Sequence, residues 1–475
     1  MKRLQALLEQ YFPCPFERGG PVLVVVGVFS ALLFVYIEIW YEGKLYNLPQ
    51  NLMLLTFLIS AWGQRRQVKS DLVFKLLILA GVIPWLLFGI NALIDYDTAI
   101  KYLSASDLLK LYLFLPLAWW TGGSWLGARR MLAIAFLGLI TAVALDPHLA
   151  RSLHALWSGH RIDFGIHNAQ HGALFFGLVL LFPLCSFMRR EQDKPVPAWA
   201  NALLLVAGLI GLAGLVGTQT RAAYVGLIAC GVVALIQLVR QRKHSAQKRI
   251  SMAKGLLVFA LVAGLLTWSA KQILYERGNI EISANQTLYE GALSENSTIN
   301  LILSGNLEEL PFTSLGLRVH SWVEASKWIA ERPITGWGRK ARTDVIRMAD
   351  HFPPHIRTSF GHLHNGYLEI LLGFGAVGFV YLCVLWVVLL RRIKQAADTD
   401  LYAFALYSSV FFLVLNLFES FFVKSSGEFA VTLFMAAGYS QYLAKNLDDA
   451  PRNEYQAVAD EQQLRSSPVE GKSDS

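Results

Sequence analysis

Long apolar runs recur along this chain with short polar turns between them, and one polar stretch, from about residue 271 to about residue 363, interrupts the pattern. A run of about 18 residues or more can cross roughly 30 Å of hydrocarbon as a helix. Lipid offers no hydrogen-bond partners, so runs of this length must satisfy their backbone internally as helices. The pattern predicts about twelve spans, near 21–40, 47–63, 71–94, 107–125, 130–147, 168–188, 199–218, 221–240, 253–270, 365–390, 401–420 and 428–446. The expected fold class is an all-α integral membrane protein with one large helical loop. Its expected parts are a tail over 1–20, nine spans over 21–270, the loop over 271–364, three spans over 365–446 and a tail over 447–475. The last is polar, contains Gln and Ser, and reads as disordered.

Charge placement sets an expected orientation. Alternate connections are basic: Arg65, Arg66 and Lys69; Arg129 and Arg130; Arg189, Arg190 and Lys194; Arg240 through Lys254; Arg391, Arg392 and Lys394. The opposite connections hold only Lys44, Lys101, Arg151, Arg161, Arg221 and Lys424. The positive-inside rule puts both termini in the cytoplasm and the large loop on the other side, the periplasm of a bacterial inner-membrane protein. No secretory signal with a small-residue cleavage site is expected, because the first apolar run is long enough to be retained.

Composition agrees. The chain has 475 residues, 54% hydrophobic and 16% charged, with mean hydropathy +0.42, whereas soluble domains carry roughly 25% charged residues. The net charge of +8 is explained by cations in the turns rather than by a nucleic-acid surface. Cys14, Cys185, Cys230 and Cys383 leave the large loop without a thiol, so no disulfide framework is expected. His148, His154, His160, His167 and His171 match no strong zinc spacing, and neither a metal nor another cofactor is expected.

The loop has internal order. Residues 317–332 place Val319, Trp322, Val323, Ile329 and Ala330 at helical spacing, and Pro333 stops the helix. Its amphipathic face can cap the bundle or lie on the membrane. Residues 279–310 are rich in Asn, Ser and Glu, and the sequons at Asn285 and Asn296 read as chance occurrences.

Arg161, Arg221, Arg318 and His364 are the candidate functional residues, since a charge at the hydrocarbon edge is expensive unless paired or facing a wet cavity. Plainer explanations exist for each. The arginines can be solvated, cap carbonyls or pair with lipid phosphate, and Asn365 after His364 can simply cap a helix. Gly373, Gly375 and Gly378 read most simply as a helix-packing face. As a set, several guanidiniums on one face suit a pyrophosphate, and a histidine can take a proton from a hydroxyl nucleophile. That combination supports attack of an acceptor hydroxyl on a lipid-pyrophosphate-linked sugar, with arginines stabilising the departing charge.

The segment HNGYLEILLGFGAVG resembles the His-Asn-x9-Gly-x-x-Gly pattern of bacterial O-antigen ligases. TQTRAAYVG, RVHSWVEASKWIAERPITGWG and RIDFGIHNAQHG are similar to further segments of the wider O-antigen ligase/polymerase superfamily. The resemblance, spread over about residues 160–380, implies a glycosyltransferase fold of the membrane-embedded GT-C type. It implies metal-independent, inverting transfer of O-antigen from undecaprenyl pyrophosphate to lipid A–core, with membrane lipids around the protein and no nucleic acid. The O-antigen polymerase and a chain-length regulator are further partners it suggests. Carried over residue by residue, it makes Arg221, Arg318 and His364 catalytic and Arg161 a donor-binding support. Asn168, His320, Trp322, His362 and Asn365 become lining or supporting residues. An O-antigen polymerase and a protein O-oligosaccharyltransferase remain alternatives. A transporter would need ionisable residues midway along spans or paired broken helices, and most of these spans lack central charges.

Overall fold

The computed structural model describes residues 19–39, 47–122, 125–158, 160–189, 198–240, 264, 301–302, 304–305, 309–312, 314–397 and 399–448. Among them every regular element is helical. Six helices are long and apolar enough to cross a membrane: α4 (Leu72–Ile94), residues 127–144 within α8 (Trp125–Ala144), 169–187 within α10 (Ala169–Arg189), α11 (Ala198–Thr218), α12 (Arg221–Arg240) and α16 (Gly366–Ala396). Shorter apolar helices are α1 (Pro21–Ile37), α2 (Asn47–Gly63) and α17 (Thr399–Leu415), and α3 (Arg65–Ser70) and α9 (Leu149–Trp157) are short connecting helices. These bounds lie close to the expected ones because the periodic apolar runs end in recognisable stops. Asp71 caps α4 by accepting from the Val73 amide at 2.7 Å, and Asp95 caps the following α5 (Tyr96–Tyr102) by accepting from Thr98 at 3.1 Å.

One expected span has a different form. Residues 107–125 contain two short helices, α6 (Asp107–Lys110) and α7 (Phe114–Thr121), joined by a turn. All of α7 is buried, so protein rather than lipid surrounds it, and a short helix with irregular flanks is tolerated there. Asp107 is anchored by Arg339 and by Lys110 at 3.6 Å, which holds that end in place. The expected span at 253–270, and the 279–310 stretch apart from a few short pieces, lie outside the described residues, as do the tails 1–18 and 449–475.

α18 (Ser425–Leu443) is central. Every residue from Ser426 to Ser440 is buried, packed by α7, α8, α16 and α17. Its modest hydropathy fits a helix facing other helices instead of lipid; Thr432 is satisfied within the helix, donating to the Glu428 carbonyl at 2.8 Å, while the Tyr439 hydroxyl reaches Asp71 at 3.1 Å.

The expected loop helix is α13 (Ser314–Glu331), followed by α14 (Ala341–Arg347) and α15 (Pro354–Ser359). These share a small apolar core of their own, with Leu317, Ala325, Val345, Ile346, Phe352 and Leu363 buried together. That core is bolted to the bundle by backbone. α16 breaks at Gly375, where φ is 60° and ψ −160°. The break frees carbonyls and amides that the Pro333–Gly338 loop takes up: Trp337 and Gly338 donate to Leu372 and Gly373 at 2.8 and 3.0 Å, while Ala376 donates to Pro333 at 2.8 Å. Asn91 of α4 completes the joint, donating to the Gly336 carbonyl at 2.9 Å. The reading of Gly373 and Gly375 as a helix-packing face is therefore corrected: these glycines receive a loop. A Cβ at Gly375 would clash with the Ile334 carbonyl.

Gly375→Ala is expected to destabilise the protein, with about 1–3 kcal/mol from backbone strain alone and more from the lost joint. The thermal unfolding midpoint in detergent measures this, and an unchanged midpoint would contradict the interlock.

Candidate functional site

Four connections meet at the end of the bundle that carries the α13–α15 segment. Ile162 donates to the Gly217 carbonyl at 3.0 Å, and Gly366 donates to that of Asn416 at 2.8 Å. The Thr220 hydroxyl donates to Ala169 at 3.1 Å, and the Ser426 hydroxyl stands 2.6 Å from Nδ1 of His171. The non-glycine residues with positive φ among those described are Phe164, His167, Gln219 and His364. All four fall in these connections. Such conformations cost energy and persist where surrounding structure enforces them, often at functional sites.

The centre is Glu419, a buried carboxylate on the connection after α17. Oε2 lies 3.1 Å from Nδ1 of His364 and Oε1 lies 3.4 Å from Nε2 of His362. The two imidazoles are 4.0 Å apart between ring centroids. Gln170, in the first turn of α10, links this group to an arginine. With its amide assigned so that both ends are satisfied, it donates to Glu419 and accepts from Nη2 of Arg318 at 2.9 Å. One relay thus runs from Arg318 through Gln170 and Glu419 to His364.

Burial pushes the Glu419 carboxyl up, but hydrogen bonds from His362 and His364 and the charge of His364 outweigh it and hold the group well below the usual carboxylate range. Burial lowers the His364 imidazole, against the opposing hydrogen bond and charge of Glu419. Burial also lowers the Arg318 guanidinium, again opposed by Glu419. The carboxylate therefore keeps its charge and compensates two partly buried bases.

Neighbouring residues brace the cluster. Glu369, buried in α16, accepts through Oε1 from the Leu363 amide at 3.0 Å and from the Ser420 hydroxyl at 2.6 Å. Its Oε2 pairs with Arg342 at 3.0 Å. The Leu363 carbonyl accepts from Nε1 of Trp322 at 2.8 Å, so the residue between His362 and His364 is held on both sides. Asn365 caps α16, accepting from Tyr367 and Leu368 at 3.1 and 3.2 Å. Asn168 caps α10, accepting from Gln170 and His171 at 2.8 and 3.2 Å.

Arg221 follows the adjoining turn between α11 and α12, and Arg161, in the connection before α10, packs against that turn. Nε of Arg161 donates to the Thr218 carbonyl at 3.1 Å, and exposed Arg221 opens α12 directly after Thr220, which is bonded to Ala169. Arg221 and Arg318 thus approach the same end of α10. His320 is elsewhere: buried in the loop core, it contacts the Leu310 carbonyl at 2.9 Å and stacks on Phe312. Sequence reasoning passed over Gln170, Glu369 and Glu419. Glu419 had a usable signal, an acid at the edge of an apolar run.

Residues 204–383 match the family model described as O-antigen ligase. The match contains Arg221, Arg318, His362, His364, Glu369 and the Gly375 break, while Arg161, Gln170 and Glu419 lie outside it. No curated protein matches the chain. Over residues 204–383, less than half of its length, the chain is therefore similar to the O-antigen ligase family.

Proposed function

We propose that this protein is an O-antigen ligase, a glycosyltransferase that moves a glycan from undecaprenyl pyrophosphate to lipid A–core at the periplasmic face of the bacterial inner membrane. The observation that carries this reading is the relay from Arg318 through Gln170 and Glu419 to His364. Glu419 accepts a hydrogen bond from Nδ1–H of His364, which leaves Nε2 as the free base. Nε2 takes the proton of the acceptor hydroxyl as its oxygen attacks the anomeric carbon from the face opposite the pyrophosphate, inverting that centre. Arg318 and Arg221 bind the donor pyrophosphate and stabilise the negative charge that grows on it as the glycosidic C–O bond breaks. Gln170 positions Arg318, so the anion clamp and the base are set by one carboxylate. Arg161 supports the turn that presents Arg221.

Twelve spans with both termini cytoplasmic complete the proposal, since that arrangement puts every connection of the site on one side of the membrane. The match to the ligase family supports a lipid-linked glycan donor and a lipid acceptor.

Replacing Arg318 or His364 by Ala should lower glycan transfer by roughly 100-fold or more, with the lipid-linked glycan accumulating and the protein still inserted. Lipopolysaccharide gels read this directly, and a full-length glycan ladder on lipid A–core in either variant would contradict it. A deletion strain whose core carries one repeat unit would indicate polymerisation instead.

Glu369→Gln should destabilise the protein by about 2 kcal/mol, less than a fully buried ion pair because Arg342 is partly exposed, and should also slow transfer. Unfolding midpoint and transfer rate, measured on the same preparation, test both effects. An unchanged midpoint would remove Glu369 as the brace.

A further inference from the structure

We propose that His362, His364 and Glu419 form a binding site for a soft divalent transition-metal ion of the zinc type, and that the bound ion switches off transfer. Three donors converge: Nε2 of His362, Nδ1 of His364 and a Glu419 carboxylate oxygen lie within 4.8 Å of one another. The two histidine–carboxylate separations are 3.4 and 3.1 Å. A tetrahedral zinc with ligand bonds of about 2.0–2.1 Å needs its donors roughly 3.3 Å apart; each histidine–carboxylate pair, through its own carboxylate oxygen, is near that spacing, and the full set closes from within 4.8 Å. Two imidazoles and one carboxylate are a set that zinc and similar ions accept, while magnesium and calcium prefer oxygen alone. Both imidazoles are only partly buried, which leaves a way in and an open coordination position.

A second observation favours a formed site. Hydrogen bonds already fix the segment that carries the donors, a support that ligand sets commonly have. Leu363, between the two histidines, is held by Glu369 through its amide and by Trp322 through its carbonyl. Glu419 is held by Gln170.

The inhibitory consequence follows from the chemistry of imidazole and rests on the proposed role of His364. A metal on Nδ1 takes the lone pair that would otherwise hold the proton hydrogen-bonded to Glu419, so the neutral ring must carry its proton on Nε2. That nitrogen then cannot accept the proton of an acceptor hydroxyl. Metal binding and base catalysis at His364 exclude each other.

The test uses the full chain in lipid nanodiscs, stripped with a chelator. Zinc is titrated against a competing fluorescent chelator, and cobalt absorption reports the coordination. The expected result is one ion per chain, with His362→Asn, His364→Asn and Glu419→Gln each weakening affinity at least ~10-fold and His351→Asn leaving it unchanged. Unfolding midpoints identify any variant that has lost its fold, and the remaining ones carry the test. Wild-type transfer should fall over the same zinc range, recover with chelator, and be indifferent to magnesium. Equal zinc affinity in wild type and the folded cluster variants would overturn the site. Zinc bound at the cluster while transfer continues, or transfer that requires zinc, would overturn the switch. The binding measurement needs no activity, so failure of the site and failure of the proposed ligase activity are separable.

Discussion

A single buried carboxylate organises the functional end of this molecule. Glu419 has little access to water, so its charge must be compensated by protein groups, and those available come from separate parts of the chain: His362 and His364 from the start of α16, Gln170 from the start of α10. Removing a partner from a buried charge costs more than the pair contributes net, which makes the arrangement self-enforcing. Arg318 is drawn in through Gln170. Arg318 and His364, which would otherwise be independent, are thereby placed together.

The rest of the architecture serves that convergence. Helices crossing a membrane leave their connections at one end or the other, so residues far apart in sequence meet only where connections gather. The loop segment α13–α15 has to be fixed against the bundle for Arg318 to hold its place. That is done with backbone hydrogen bonds at the Gly375 break, which are stiffer than side-chain contacts. Asn91 and Glu369 extend the joint to α4 and to the Leu363 segment. Strained backbone at Phe164, His167, Gln219 and His364 marks the places where this packing overrides local preference.

Much of the helix framework was legible in the sequence, because apolar period and caps such as Asp71 are local signals. The 107–125 run forms two short helices instead of one span, because apolarity reports burial without saying whether lipid or protein provides it. The motif residues Arg221, Arg318 and His364 stood out as rare charges near the hydrocarbon edge. Gln170 and Glu369 did not, since an uncharged amide and an acid inside an apolar helix acquire meaning only from partners brought in by the fold. Asn365 and Asn168 were expected near the site, and they sit there as helix caps. The histidine–carboxylate cluster was invisible to spacing rules, because Glu419 lies 55 residues from His364.

The most direct test is a structure of the protein in lipid with a non-transferable polyprenyl-pyrophosphate glycan bound. Pyrophosphate oxygens are expected within hydrogen-bond distance of Arg318 and Arg221, with Nε2 of His364 facing the open side of the anomeric carbon and Glu419 still on Nδ1. Pyrophosphate bound away from the Arg318–Gln170–Glu419 relay, or His364 turned from the sugar, would contradict this arrangement.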